Sequence, residues 1–455
     1  MSATEKKLAI LVAGGPAPGI NGVIGAATIR AIQYGVDVIG VRDGFKWIMR
    51  GEVTKAEPLS IDKISRIHFK GGSAIGIARD NPTTDQSYLQ TAVTSLLRMN
   101  VDKLITIGGD DTVNSAMRLE EEAAGRISVV HVPKTIDNDL DLPHGIPTFG
   151  YNTARHIGVL IVKTLMIDAD TTSRWYFVIS MGRNAGHLAL GIGKTAAATL
   201  TLIPEEFPAG TIKLSLLVDI LAGAIIKRKS HDRPDGVVIL AEGLLERLDP
   251  KDLAGLENVE RDAHGNIRFA EVSFGEIIKL HVQKRLAEFG LNTTIVSKNI
   301  GYELRCADPI PFDIEYARDL GFCAAQFVIE GGNAAMVSLQ NGHFVPMYFE
   351  DIFDHETKRA RVRMVDITSE YYQIARRYMI RLLPEDFEDP HELARYAATA
   401  GISLEEFDRQ FRPVVENDRA YTVDRSRLFS KNPDYPRGRP VEEDETEQAE
   451  PENGD

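Results

Sequence analysis

The chain reads as an α/β protein with mostly parallel sheets, arranged as two lobes. Three observations predict this. Short, β-branched apolar runs alternate with longer helix-compatible stretches through most of the sequence. Several runs end in glycine-rich or acidic turns, at the edge where open α/β sheets present ligands. The alternation then starts a second series near Gly150, which predicts two lobes with the motifs converging on the cleft between them. A length of 455 residues is enough for two sizeable cores.

The first series opens with a strand over Leu8 to Val12 that stops at Gly14-Gly15-Pro16-Ala17-Pro18-Gly19, and Ile20 to Tyr34 then reads as a helix. Val36 to Val41 is the next strand. Gly71-Gly72-Ser73 makes a glycine turn, with Arg79 a few residues on. Leu104 to Ile107 is a buried strand leading into Gly108-Gly109-Asp110-Asp111-Thr112. Ile127 to Val132 is another, leading into Pro133-Lys134-Thr135-Ile136-Asp137-Asn138-Asp139.

The second series has a helix from near Gly150 to about Ile167 and a strand over Trp175 to Ser180. Met181-Gly182-Arg183-Asn184-Ala185-Gly186-His187 joins that strand to a helix. A strand over Leu200 to Ile203, a helix over Thr211 to Lys229 and a strand over Gly236 to Leu240 follow, the last ending at Ala241-Glu242-Gly243. Beyond an irregular, charged stretch from Glu257 to Arg268 come a helix (Phe274 to Phe289) and a strand (Thr293 to Ser297). Gly301-Tyr302-Glu303-Leu304-Arg305-Cys306 is a further polar cluster, and Tyr371 to about Phe411 reads as largely helical.

Composition narrows the function classes. Hydrophobic content of 43% and charged content of 26% are ordinary for a soluble globular protein. Eight acidic side chains lie between Val441 and Asp455 with no Lys or Arg, leaving the rest at -6 of the total charge of -14. Residues 431–455 are therefore expected to be a disordered acidic tail. No basic stripe points to nucleic acid, and no apolar run approaches the roughly 20 residues of a membrane span. The start shows no secretory segment, and only Cys306 and Cys323 are present, so the expected compartment is the cytoplasm.

The motifs suit phosphoryl transfer. Glycine lets backbone approach a phosphate, carboxylates hold Mg²⁺ or act as a base, and lysine gives phosphate a point charge. The Gly14-Gly15 turn lacks the dinucleotide spacing; it is either a tight structural turn or an anion cradle ahead of a helix N-terminus. Asp110 and Asp111 are either N-caps or a Mg²⁺ and ligand pair. An Asp of the Thr135–Asp139 stretch can accept the proton of an attacking hydroxyl, whereas Asn138 also suits an Asx-turn. Arg174 and Arg183 are anion-binding candidates or solvated surface charges. Glu242 either binds sugar hydroxyls or belongs to a plain turn. Arg79 follows its glycine turn as a cation within reach of a phosphate. His187 is read as a helix-start residue, and both cysteines as structural.

Taken together, these residues resemble the phosphofructokinase family. The glycine turn, Gly108-Gly109-Asp110, Thr135–Asp139, Met181-Gly182-Arg183, Glu242-Gly243 and Gly301 to Arg305 occur in the family's order, from about Leu8 to at least Phe322. The resemblance implies two Rossmann-like lobes with the active site in the cleft between them. It implies Mg²⁺-dependent phosphoryl transfer to the 1-hydroxyl of fructose 6-phosphate, in glycolysis. Asp137 would be the general base assisted by Asp139, with Lys134 and Arg183 in the catalytic set. Gly14, Gly15, Arg79, Asp110, Asp111 and Lys134 would face the donor, with Asp110 by the Mg²⁺. Thr135, Asp137, Arg174, Met181, Gly182, Arg183, Glu242, Tyr302 and Arg305 would hold the sugar phosphate. Residues 1–147, completed by about 298–370, would form the donor lobe; 148–297, completed by about 371–430, the sugar-phosphate lobe. Some family arginines reach in from a neighbouring subunit; Arg174 is the candidate, which implies a homodimer or higher homo-oligomer.

The same resemblance bears on the donor. ATP-using members usually carry Gly at the positions of Asp111 and Lys134, whereas pyrophosphate-using members resemble this chain at both. Tyr at position 302 also occurs in pyrophosphate users. A carboxylate at 111 adds charge where the α-phosphate of ATP would lie. Two unit charges ~4 Å apart repel by about 4 kcal/mol at an effective dielectric of ~20, enough to discriminate. Lys134 offers pyrophosphate a compensating cation. The expected enzyme is pyrophosphate-dependent and reversible. The alternatives are an ATP-dependent enzyme of the same family and a non-catalytic sugar-phosphate-binding regulatory subunit.

Overall fold

Pleating sends alternate side chains of β1 (Lys7–Val12) to opposite faces: Leu8, Ile10 and Val12 pack on one side, Ala9 and Leu11 on the other. The computed structural model that shows this describes residues 6–143, 145–182, 185–254, 273–354 and 361–416. Arg183, the charged stretch from Glu257 to Arg268 and the tail 431–455 lie outside the described residues. Next to β1 runs β2 (Asp37–Val41), parallel, with β3 (Ala56–Pro58) antiparallel at its far side. On the other flank lie β4 (Val101–Gly108) and β5 (Ser128–Thr135), both parallel, and the short β6 (Phe149–Gly150) pairs with the end of β5. One face of this sheet is covered by helices Ile20–Gln33 and Pro311–Ile329, the other by Gln86–Arg98 and Asp110–Ala123. Where the first two helices cross, a Cβ on Gly321 would stand 2.5 Å from the Val23 carbonyl oxygen, so only glycine allows that approach.

β5 runs three residues past the expected Val132, so Pro133, Lys134 and Thr135 belong to the strand. Pro133 pairs with Gly108 where the neighbour on the other side no longer bonds, so its missing N–H costs no ladder bond there.

The second sheet contains β7 (Trp175–Ser180), β8 (Leu200–Leu202), β9 (Gly236–Ala241) and β10 (Ile295–Ile300), all parallel, in the order β10-β7-β9-β8. β7 and β9 are buried along their whole length, which is why both read as continuous apolar runs. β10 sits at the edge and carries Ser297, Lys298 and Asn299 partly exposed; the apolar pattern therefore placed it two to three residues early, at Thr293 to Ser297. Helices Glu370–Arg377, Pro384–Glu388, Pro390–Ala400 and Leu404–Glu416 complete this lobe, with Tyr396, Phe407 and Phe411 in one core with Leu217 and Leu221.

Between these parts the chain returns to the first sheet. β11 (Ala335–Gln340) lies parallel to β5, and β12 (His343–Tyr348) closes the edge as an antiparallel hairpin. The first sheet then reads β12-β11-β5-β4-β1-β2-β3 among the described residues. No described helix is long and apolar enough to cross a membrane.

Candidate active site

The carboxyl ends of β1, β4 and β5 deliver the residues expected to face a phosphoryl donor. Gly19 starts the helix after β1 with φ 106°, and a methyl there would stand 2.9 Å from Phe149 Cδ2, so the turn needs glycine both for conformation and for space. Asn21, buried in that helix, bonds the carbonyls of Lys70 (2.9 Å) and Gly71 (3.3 Å) and accepts from the Ala74 N–H (2.8 Å). This fixes the Gly71-Gly72-Ser73 turn beside the Gly14-Gly15 loop, and the Gly14 N–H donates to the Ala78 carbonyl at 3.0 Å. As a result two cations converge on Gly15: a methyl there would lie 3.2 Å from Arg305 Nη1 and 4.0 Å from Arg79 Nη2.

Lys134 is buried, and its ammonium donates to the Gly15 carbonyl. Burial pulls Lys134 down to about 8; Asp137, Asp110 and Asp139 oppose the shift, and Arg305 adds to it. Gly109 is the N-cap of helix Asp110–Ala123 and no side chain caps it, so Asp110 and Asp111 occupy the first turn without capping it. Asp111 is exposed there and Asp110 half-buried. Carboxylates in this position are favoured by the helix dipole.

Asp137 and Asp139 follow β5 around a left-handed Asn138 (φ 56°), a conformation that Asn tolerates better than other non-glycine residues. Asn138 is structural, though not through an Asx-turn: its Oδ1 accepts from the Thr148 N–H at 3.0 Å. Asp139 is buried and accepts from the Thr135 hydroxyl at 3.2 Å, while Thr135 Oγ1 accepts from the Asp137 N–H at 3.0 Å. Asp137 faces the other lobe: a methyl on Gly182 (φ 130°) would stand 3.9 Å from Asp137 Oδ1.

Most of the residues expected to hold the sugar phosphate gather at the carboxyl ends of β7, β9 and β10. The Met181 N–H donates to Ile300 O (3.1 Å), the Glu242 N–H to Ser180 O (2.9 Å), and the Gly243 N–H to Gly182 O (3.2 Å). Tyr302 is 75% exposed, open to a ligand, and the Arg305 guanidinium lies 4.7 Å from its ring centroid. Arg174 does not join this cluster. It precedes β7 at the amino end, with Nε 3.8 Å from Asp168 Oδ2, while Met181 follows the carboxyl end; at ~3.3 Å per residue the separation is roughly 20 Å.

Three polar residues, two buried and one half-buried, support the site without having been singled out by the sequence. Asp313, on helix Pro311–Ile329, accepts from the Gly150 N–H (2.8 Å), the Thr153 N–H (2.6 Å) and the Thr153 hydroxyl (2.6 Å), capping helix Tyr151–Thr172 from another element. Burial pushes its carboxyl up, and these bonds oppose the shift. His131, fully buried in β5, pairs Nδ1 with Thr106 Oγ1 (2.8 Å) and donates from Nε2 to the Gly108 carbonyl (3.1 Å). Burial pulls it down to about 3, so it is neutral and braces the turn before Asp110. Arg363 donates to the carbonyls of Leu142 (3.2 Å) and Ile146 (2.9 Å), closing the loop after Asp139. Of these only Arg363 carries a local hint, as a cation among apolar neighbours in an extended stretch.

Two facing α/β sheets, whose strand ends bring a buried lysine, paired carboxylates and converging arginines together, suit the handling of phosphate groups. The chain belongs to the phosphofructokinase family, whose profile matches residues 7–328. It is 48% identical over 416 residues to the pyrophosphate--fructose 6-phosphate 1-phosphotransferase of Thermotoga maritima, covering 90% of this chain and 99% of that protein. It is also 48% identical over 418 residues to the protein of that name from Naegleria fowleri, covering 90% of this chain and 96% of the relative. The fold is similar to the crystal structure of a pyrophosphate-dependent phosphofructokinase from Nitrosospira multiformis, with a TM-score of 0.62 and 17% identity, across 82% of this chain and 90% of that one.

Proposed function

We propose that this protein transfers a phosphoryl group reversibly from pyrophosphate to the 1-hydroxyl of fructose 6-phosphate, giving fructose 1,6-bisphosphate and phosphate. The observation that carries the donor assignment is the buried Lys134 ammonium on the Gly15 carbonyl with the Asp111 carboxylate nearby at the next helix start. A compact diphosphate meets the lysine and the two arginines at Gly15, whereas a nucleotide's α-phosphate would meet Asp111. The two relatives at 48% identity, named for this activity, support the same reading.

Asp137 accepts the proton of the 1-hydroxyl as that oxygen attacks the terminal phosphorus; the bridging P–O bond breaks and phosphate leaves. Asp139, held by Thr135, assists. Thr135, Met181, Gly182, Arg183, Glu242, Tyr302 and Arg305 hold the sugar phosphate. Arg305 also stands at Gly15, so it can span both substrates.

Among the described residues, no three His, Cys, Asp or Glu side chains gather into a metal cage. Asp110, half-buried in the first turn of its helix, fits as the one protein ligand of a Mg²⁺ that would arrive with waters and phosphate oxygens. When bound, the ion neutralises charge on the transferring phosphoryl group. Arg174, roughly 20 Å from its own Met181 at ~3.3 Å per strand residue, would act on a neighbouring subunit's sugar phosphate, which requires a homodimer or larger assembly. The donor lobe comprises the first sheet and the sugar-phosphate lobe the second with the C-terminal helices. The two free cysteines accord with a cytoplasmic place in glycolysis.

Formation of fructose 1,6-bisphosphate from fructose 6-phosphate and Mg²⁺, with pyrophosphate or ATP as donor, tests the proposal. Activity with pyrophosphate alone is expected. Activity with ATP alone would overturn the donor assignment, and silence with both would favour a regulatory subunit.

A further inference from the structure

Residues 361–367 lie beyond the stretch matched by the family profile, yet they are fastened to both lobes. On the donor side, Val362 forms an antiparallel bridge with Leu140, and the Arg363 N–H donates to the Asp139 carbonyl at 2.8 Å. The Arg363 guanidinium grips Asn138: Nη2 donates to Oδ1 (2.6 Å) and to the carbonyl (3.1 Å), and Nε donates to the same carbonyl (3.2 Å). Its Nη1 takes the Leu142 and Ile146 carbonyls. On the sugar side, His187 Nε2 donates to the Arg363 carbonyl at 3.0 Å. The Val365 N–H donates to Glu205 Oε1 (3.1 Å), the atom that also receives the Gly186 N–H (2.8 Å) just after the Met181-Gly182 turn.

One residue therefore holds the turn between Asp137 and Asp139 with its side chain while its own peptide is pinned to the loop opposite. We propose that Arg363 is a positioning residue: it keeps Asn138 in its left-handed turn and so sets the distance between Asp137 and Gly182. The fork matters as well as the charge, because only a planar guanidinium can bond Asn138, Leu142 and Ile146 together. Small displacements of a base from its near-attack geometry act on the chemical step and not on ground-state binding. The assignment rests on Asp137 being the base of the proposed reaction.

The test is steady-state kinetics of the full chain carrying Arg363→Gln, Arg363→Lys, Asn138→Gly, or Arg363→Gln with Asn138→Gly. Arg363→Gln is expected to lower kcat about 10- to 100-fold with both KM values within about twofold of wild type. Arg363→Lys should recover only part of the loss. The double variant should be little worse than Arg363→Gln alone, because both changes break the same contact. Should Arg363→Gln fail to fold, Asn138→Gly, whose glycine tolerates the positive φ, and Arg363→Lys carry the test through the same kcat-only loss. A kcat within twofold of wild type, a raised KM at unchanged kcat, or fully multiplicative effects would overturn the assignment alone. A wild type silent with both donors would overturn the activity and this assignment with it.

Discussion

At the residue scale the proposed chemistry turns on three side chains delivered by two strands. Asp137 faces Gly182 across the junction of the lobes, close enough that a methyl there would be 3.9 Å from its Oδ1. Asp137→Asn should therefore reduce turnover at least about 100-fold while fructose 6-phosphate affinity stays broadly intact, since a base is lost and a similar shape remains. Calorimetric binding beside kcat checks this, and near-normal turnover would sink the role. Asp111 is exposed at the first turn of its helix and Lys134 is buried beneath the donor loop. Asp111→Gly is expected to let ATP serve as donor. ATP turnover and binding that stay undetectable, both there and in a variant also carrying Lys134→Gly, would show that charge at these positions does not exclude the nucleotide. Gly109 holds the cap position, so Asp110 and Asp111 are first-turn residues and not N-caps.

At the scale of elements, the donor turn is braced from below by a cross-strand pair. Thr106 in β4 and His131 in β5 are register partners, and the imidazole also holds the Gly108 carbonyl. Because burial lowers His131 from 6.5 to about 3, the unfolded chain binds a proton there that the folded chain refuses between those values. Its contribution is thus fully present above about pH 6.5 and is lost on acidification, by about 2 kcal/mol on reaching pH 5. His131→Gln keeps a donor and an acceptor without titrating. Urea unfolding at pH 7 and pH 5 should show the variant losing less stability than wild type; equal losses would place the acid sensitivity elsewhere. Most strands were legible at this scale because parallel, doubly covered strands are continuous apolar runs. β10 was displaced because an edge strand need not be apolar. The β11–β12 hairpin carries a readable signal: Asn341-Gly342, both at positive φ, joins the strands as a two-residue turn.

At the scale of the whole molecule, the position of Arg174 separates two kinds of assembly. It lies at the opposite end of β7 from its own site, so a role in binding fructose 6-phosphate demands a second copy. Mixing inactive Arg174→Ala and Asp137→Asn subunits should then restore activity, because in a hybrid dimer one site draws Asp137 and Arg174 from intact sources. Absence of complementation, with hybrids verified by mass, would place Arg174 outside the site. Asp313 shows the same principle inside one chain: a carboxylate on helix Pro311–Ile329 caps the helix that opens the second series, 160 positions away in sequence.

What the sequence determined by itself was local. Strand runs, the turns that end them and the order of the acidic and glycine motifs were enough to place Asp110, Lys134, Asp137, Met181 and Glu242 at strand ends, because a strand and its following turn are neighbours in the chain. Which turns face each other was decided only by the tertiary structure. Asp137 meets Gly182, Arg305 meets Gly15, Arg174 is held away from its own site, and Arg363 reaches Asn138 across 225 positions. Such pairings come from how two sheets and their covering helices pack, and packing at that range leaves no periodic trace in the residues that meet.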